Sequence, residues 1–373
     1  MALLDQPLLC SITDISIRSL PVAKALQVHR PQSVVLSNLS DTNPGFAQHM
    51  KDDIYCARTA QLDAITFELL PPGVVLHSGG DFTLSFEGDI VQEQYISTMP
   101  KSAWDFDDPS RSLGPLVDVS GEILLVARYG IATWGHWLGE LLPKVALAET
   151  HFPGRFQYAL PDFVTRSLKP APIWLRIYES IVACGVSPDR VFPLDEAKTY
   201  RFASLWAVTS LWSDRTMHPT ASEALRWKTA AIPTGEYRKV AAIRDGRAGR
   251  AMSNSSDVYS TLNVYGYQSI ETGILDFEKQ VSVFKGADHI FGVLGSDLAG
   301  LIFSPAGVGV VTVAPDVFGD SFFHALIVDR SGSMADVRGP VVSLNETSHR
   351  SEFSVNLGVL ETALIAVNKA SDR

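Results

Sequence analysis

Cysteine is scarce. Cys10, Cys56 and Cys184 are the only three in 373 residues, too few and too far apart for a disulfide framework or a metal-binding spacing, which fits a reducing compartment. Positive charge is also short: 31 Lys and Arg stand against 41 Asp and Glu, a formal net charge of −10. That argues against a broad nucleic-acid face, which needs a basic surface, but not against a small anion held by a few local arginines. No stretch reaches the about 18 uninterrupted apolar residues of a membrane helix. The opening MALLDQPLLCSITD has neither the basic start nor the apolar run of a signal peptide. The expectation is a soluble, cytoplasmic protein, with peripheral membrane attachment left open. Cofactor and nucleophile signatures are missing as well. There is no G-x-G-x-x-G after a strand, no Walker A sequence, no H-E-x-x-H, no C-x-x-C and no G-x-S-x-G. Dehydrogenases, P-loop NTPases, zinc hydrolases and serine hydrolases all lose ground.

What is present is apolar mass. Hydrophobic residues make up 46% and charged residues 19%, enough for large cores in a chain whose length suits two domains. The first hundred residues read as short strands, SVVLSN (33–38), AITFELL (64–70), GVVLHSG (73–79) and FTLSFEG (82–88), cut by Gly, Pro, Asp and Asn. From about residue 118 strands and helices alternate, which implies a mostly parallel sheet covered on both faces. A polar turn and a Pro/Gly stretch around 213–238 mark a boundary, and a second alternation follows. The expected fold is α/β, with two Rossmann-like domains facing a cleft. The reading sets a β-rich N-terminal region at 1–117, a first Rossmann-like domain at 118–215 and a second at 216–340. A C-terminal helix in 341–373, with Leu357, Leu360, Leu364 and Val367 at helical spacing, is expected to pack back across the seam.

Three segments carry chemistry. In WGHWLGELLPK (134–144), Trp134, Trp137, Leu138, Leu141, Leu142 and Val145 form an apolar stripe, while His136, Glu140 and Lys144 share another face. A helix N-terminus disfavours a cationic ring, so His136 is expected to be neutral and able to accept a hydroxyl proton. Pro143 has no amide hydrogen and leaves the Gly139 carbonyl without its helical donor. The plainer reading makes His136 a first-turn residue bonded to backbone, with Glu140 and Lys144 in solvent. The second segment, IRDGRAGRAMSNSSD (243–257), places Arg244, Arg247 and Arg250 in a loop after a buried strand, with Asn254 or Ser255 as the cap of the next helix. Strand ends are where α/β folds bind ligands, and arginine forks match phosphate oxygens; the plainer reading is a solvated basic turn. The third, GVLGSDLAGLIF (292–303), runs a strand into Gly295-Ser296-Asp297-Leu298 and a short helix, whose first amides suit an anion. Asp297 complicates this, because a carboxylate there repels phosphate unless it points away. The other histidines show no metal spacing. His324, in GDSFFHA, is the one whose loop is expected to open on the cleft. The acidic runs KDD (51–53) and DDPS (107–110) read as solvated turns.

Taken in order, HWLGELLP, then Arg244 with Arg250 and Asn254, then FEKQVSVF, then GVLGSDLAGLIF, the chain resembles glycosyltransferase family 61 over roughly residues 118–318. Members of that family include bacterial capsular polysaccharide biosynthesis proteins, plant arabinoxylan transferases and animal O-linked N-acetylglucosaminyltransferases. The resemblance implies a GT-B-like fold and an inverting transfer from a nucleotide sugar, most often UDP-linked. The expected acceptor is a hydroxyl of a saccharide or other acceptor. No acidic pair stands at a strand end, so the arginines are expected to replace a metal, and no further cofactor is expected. The reading of the residues makes His136 the base, with Glu140 beside it to orient it. Arg244, Arg250, Asn254 and the turn Gly295, Ser296, Asp297 and Leu298 would then hold the donor. Three positions depart from the family pattern: Leu294 stands where a histidine is usual, Asp297 where a small residue is usual, and Thr312 where a glutamate is common. They leave open a non-catalytic carbohydrate- or nucleotide-binding descendant. An epimerase or oxidoreductase on a Rossmann-like fold is a further rival.

Overall fold

The computed structural model describes residues 24–29, 32–36, 58–77, 83–86, 89–90, 114–128, 130–162, 172–213, 216–244, 249–318, 322–343 and 350–371. Cys10, Cys56, Arg247 and the KDD and DDPS runs lie outside them. The chain is α/β, with parallel and mixed sheets, and it folds as two compact units. The first comprises residues 1–31, 63–132 and 140–211, and the second 32–62, 133–139 and 212–373.

The first unit holds a nine-stranded mixed sheet. Four strands, Val191–Leu194, Gln157–Pro161, Leu116–Leu125 and Thr199–Val208, run parallel. The early strands Ile65–Leu69, Val75–His77, Thr83–Phe86 and Asp89–Ile90 continue the same sheet in antiparallel fashion. The β-rich stretch read from the sequence therefore belongs largely to this sheet. The hairpin of Gln32–Leu36 with Arg58–Leu62 groups instead with the second unit. Trp206, Tyr158, Phe156 and Phe67 are fully buried. Glu149, also buried, accepts from the Tyr158 hydroxyl and from Arg190 at 2.5 Å each, so its charge is satisfied inside the core.

The second unit is a five-stranded parallel sheet in the order Gln268–Ile270, Lys239–Ala242, His289–Val293, Gly309–Pro315, Ser333–Gly339. Numbered along the chain this is 2-1-3-4-5, a doubly wound order whose direction reverses between the first and third strands. Parallel strands covered on both faces lose apolar alternation, and GVVTVAP is buried at every position. One face, with Ala241, Phe291, Val293, Val311, Val313, Ala335 and Val337, packs on helices Ser255–Val264 and Leu357–Ser371 through Val258, Leu262, Leu360, Leu364 and Val367. The last helix thus lies on the second unit's own sheet. Ser333–Gly339 was not expected as a strand, because SMADVRG carries Asp336 and Arg338 at buried positions.

Candidate functional site

Open α/β sheets bind ligands outside the carboxyl ends of their strands, at the point where strand order reverses. In the second unit that point lies beyond Ala242 and Val293, and the arginine turn and the Gly295 turn both occupy it. Arg244 follows the first of these strands by two residues, and Gly295 follows the other by two. A Cβ on Gly295 would overlap the Arg244 guanidinium and lie 2.8 Å from Arg250 Nη2. Only hydrogen at this position lets both guanidinium groups reach the start of the 3-10 helix Ser296–Phe303. Arg250 itself adopts a left-handed backbone, φ 57, a conformation that costs a non-glycine residue of order 1 kcal/mol and concentrates at functional sites. Its amide donates to the Arg350 carbonyl at 3.1 Å and its guanidinium sits over the Phe318 ring, 4.5 Å from the centroid.

Asp297 finds its place here. Its carboxylate lies 3.4 Å from Arg244 Nη1, so it faces a guanidinium. Burial is the main influence pulling Arg244 below the ordinary arginine value; Asp297 opposes it and the neighbouring Arg350 adds to it. Arg350 is thus a third basic residue in the cluster, from a part of the sequence that gave no signal. It also lies against Gly249, whose Cβ would come within 3.0 Å of Arg350 Cβ.

Two of the expected donor residues take other work. Asn254 stands at the N-cap of its helix with no capping bond from its side chain. Its amide instead donates to the Val355 carbonyl at 2.8 Å and accepts from the Val355 amide at 3.0 Å, tying the arginine turn to the C-terminal segment. Leu298 is fully buried and its amide donates to the Gly295 carbonyl at 2.9 Å. Its amide closes the turn that Gly295, Ser296 and Asp297 begin.

His136 belongs to the same unit, on the segment 133–139. Its helical turn, Trp134–His136, packs against the Gly295–Ser296 turn: a Cβ on Gly135 would lie 3.7 Å from Ser296 Oγ, from Phe322 and from Phe323. Trp134 secures this docking by donating its indole hydrogen to Gln280 Oε1 at 2.9 Å, inside the core. Gln280 Nε2 in turn donates to the Thr272 carbonyl at 2.7 Å, and the Thr272 hydroxyl donates to the Asp297 carbonyl at 3.4 Å. One chain of polar contacts therefore joins the histidine helix to the Gly295 turn. The His136 ring is half-buried and meets Phe322 edge-on, centroids 6.1 Å apart. Phe322 stacks on Trp212 at 4.7 Å, and Trp212 donates its indole hydrogen to the Gly139 carbonyl at 2.8 Å. This is the carbonyl that Pro143 cannot serve, and the helix widens there into a π-turn over Trp137–Leu141, a distortion frequent beside functional residues.

Glu140 and Lys144 belong to the first unit, and neither is solvated. Glu140 forms a buried ion pair with Arg128. Burial pulls Arg128 down to about 10, and it remains charged at neutral pH. Lys144 is 7% exposed; burial, with the Arg128 charge adding to it, pushes it down to about 7. The charge that Glu140 answers is that of Arg128, a partner the sequence reading did not foresee.

The remaining departures lie inside the second unit. Leu294 is fully buried and its amide pairs with the Val313 carbonyl. Thr312 donates to Asp336 Oδ1 at 2.8 Å, and Asp336 Oδ2 accepts from Arg338 Nε at 2.7 Å. His324 is buried on the helix Phe322–Asp329, its Nε2 3.9 Å from the same carboxylate. His324, read from the sequence as part of a loop, thus lies on a helix and is buried. Among the described residues no group of three or more His, Cys, Asp or Glu is arranged to hold a metal, and no helix is long and apolar enough to cross a membrane.

Residues 134–311 match the family model described as Glycosyltransferase 61. The match supports glycosyltransferase family 61 for this segment. The matched segment opens on Trp134, the residue that anchors the histidine helix, and takes in His136, Gln280, both arginines and the Gly295 turn. It supports a glycosyltransferase, with a sugar donor and an acceptor as its substrates. No curated protein matches the chain.

Proposed function

We propose that the protein is an inverting glycosyltransferase on a GT-B-like scaffold, moving a sugar from a nucleotide-sugar donor of the UDP-linked class to a hydroxyl of a saccharide or related acceptor. The observation that carries the reading is the convergence of Arg244 and Arg250 on Gly295, with the His136 turn packed against the next residue, Ser296. In this proposal the two guanidinium groups and the amides around Gly295–Asp297 hold the diphosphate. His136 removes the acceptor hydroxyl proton, the oxygen forms its bond to the anomeric carbon, and the opposite carbon–oxygen bond breaks. Its electron pair goes to the departing nucleoside diphosphate, whose charge the arginines receive. They supply the positive charge that a metal would otherwise provide, so the reaction proceeds without one. Asp297 orients Arg244, Asn254 holds the turn in place, and Glu140 neutralises Arg128.

A non-catalytic, donor-binding descendant is the second reading. What favours it is that Leu294 and Thr312, two of the three departures from the family pattern, are buried and engaged within the protein. Incubating pure protein with a panel of nucleotide sugars separates the two. Slow hydrolysis of one donor, persisting in chelator and raising the melting temperature through native-state binding, is the expected result. Binding without any release of nucleoside diphosphate would leave the second reading, and absence of both would reject the proposal.

A further inference from the structure

Arg244 and Arg250 meet different neighbours. Arg244 faces a carboxylate, whereas Arg250 lies on an aromatic ring. The difference bears on anion binding. The face of a phenyl ring holds a guanidinium by its quadrupole and restricts where the fork can point. The ring is in turn fixed from below. Phe318 closes a turn through its amide to the Pro315 carbonyl at 3.0 Å, and its own carbonyl accepts from Arg338 Nη1. The same Nη1 reaches the Pro315 carbonyl at 3.4 Å. The Arg338 side chain is fully buried, and its Nε is bonded to Asp336, which also takes the Thr312 hydroxyl. A buried charge pair bonded at both Nε and Nη1 of its guanidinium is a rigid support. None of Thr312, Asp336 and Arg338 is exposed enough to meet a ligand.

We propose that Asp336, Arg338 and Phe318 are positioning residues for Arg250, a relay that holds its guanidinium over Gly295 ready for a diphosphate. Asp336 and Thr312 fix the Arg338 fork, Arg338 fixes the 315–318 turn, and the Phe318 ring carries Arg250. The relay rests on the anion site described under the proposed function. It also gives the buried polar strand Ser333–Gly339 a use that core packing does not require.

The test is calorimetric titration of the full chain with inorganic pyrophosphate. Phe318→Leu is expected to weaken binding roughly 3- to 30-fold, the range of a cation–π contact between exposed and desolvated settings. Phe318→Tyr, which keeps the ring face, is expected to bind like the parent. In an Arg250→Ala background, Phe318→Leu is expected to have no further effect, which a merely structural role would not produce. Should the leucine variant fail to fold, Phe318→Met removes the ring face with a larger, more flexible side chain. Arg338→Lys, which keeps charge but loses the fork, is expected to fall in the same range as Phe318→Leu. The relay is overturned if Arg250→Ala weakens pyrophosphate binding while Phe318→Leu and Phe318→Met do not, or if the tyrosine variant loses as much as the leucine variant. If Arg250→Ala itself binds like the parent, the anion site fails, and the relay with it.

Discussion

Gly295→Ala is the sharpest perturbation the site offers, because it adds one carbon where two guanidinium groups meet. The new Cβ would lie 2.8 Å from Arg250 Nη2 and 3.4 Å from Arg244 Cζ, with the nearest Arg244 nitrogen closer still. Non-bonded heavy atoms sit comfortably at about 3.5–4.0 Å, so each guanidinium must retreat by roughly 1 Å. The obstructing atoms are the far ends of flexible side chains, and the fold is expected to survive with the melting temperature lowered by no more than about 4 °C, equivalent to ~1 kcal/mol in a chain of this size. Ligand binding is another matter. A charge-assisted hydrogen bond works near 2.7–2.9 Å, and stretching it by 1 Å removes it. Each is worth about 1.5–3 kcal/mol, and 1.4 kcal/mol is a factor of ten. Loss of one arm therefore predicts a nucleoside diphosphate affinity weakened roughly 10- to 100-fold. Titration calorimetry of parent and variant, with calorimetric melting as the control for folding, makes the measurement. An affinity within about twofold of the parent in a folded variant would mean that the guanidinium groups do not hold the anion at this turn.

Three further outcomes follow from the same structure. His136→Ala is expected to cut sugar transfer by roughly 10² or more while leaving donor affinity in place; near-parental turnover rules out the base role. Trp134→Phe removes the donor to buried Gln280 Oε1 and is expected to cost about 1–3 kcal/mol of unfolding free energy, so an unchanged denaturation midpoint refutes the anchoring role. Lys144 gives a pH signature. Its folded value is depressed to about 7, so between about pH 7 and its ordinary value near 10.5 the unfolded chain binds the extra proton, and stability rises with pH across that window. Below pH 7 both states are protonated and the full penalty of the buried charge is present. Lys144→Met is therefore expected to raise the melting temperature most at or below pH 7, with the advantage shrinking toward pH 10; a constant or growing advantage contradicts the assignment.

Much of the alternation was legible because parallel strands are continuous apolar runs and amphipathic helices repeat at helical spacing. KVAAI, HIFGVLG and VGVVTVAP appear as the strands Lys239–Ala242, His289–Val293 and Gly309–Pro315. Pro143 likewise announced a vacant carbonyl at Gly139 by chemistry alone. The residue that fills it, Trp212, lies some seventy positions away, and no local pattern predicts such a partner. SMADVRG was unreadable as a strand for a related reason. Buried Asp336 and Arg338 look like loop residues until Thr312 and the Phe318 carbonyl are there to satisfy them. Arg350 and Phe318 gave no signal either, since one follows a polar stretch and the other a short turn.

The order of apolar runs and turns determined an α/β chain, and the residue types at two strand ends determined which side chains are able to hold an anion; both are local properties, set by periodicity and by the reach of a guanidinium. Tertiary structure decided the rest. The reversal of strand order brings Arg244 and Gly295 to one crevice, the His136 turn docks on Ser296 through a buried indole bond, and Asn254 and Leu298 are drawn into holding the backbone. Each of those outcomes depends on which distant atoms share a neighbourhood, and that is fixed only when the sheet has formed.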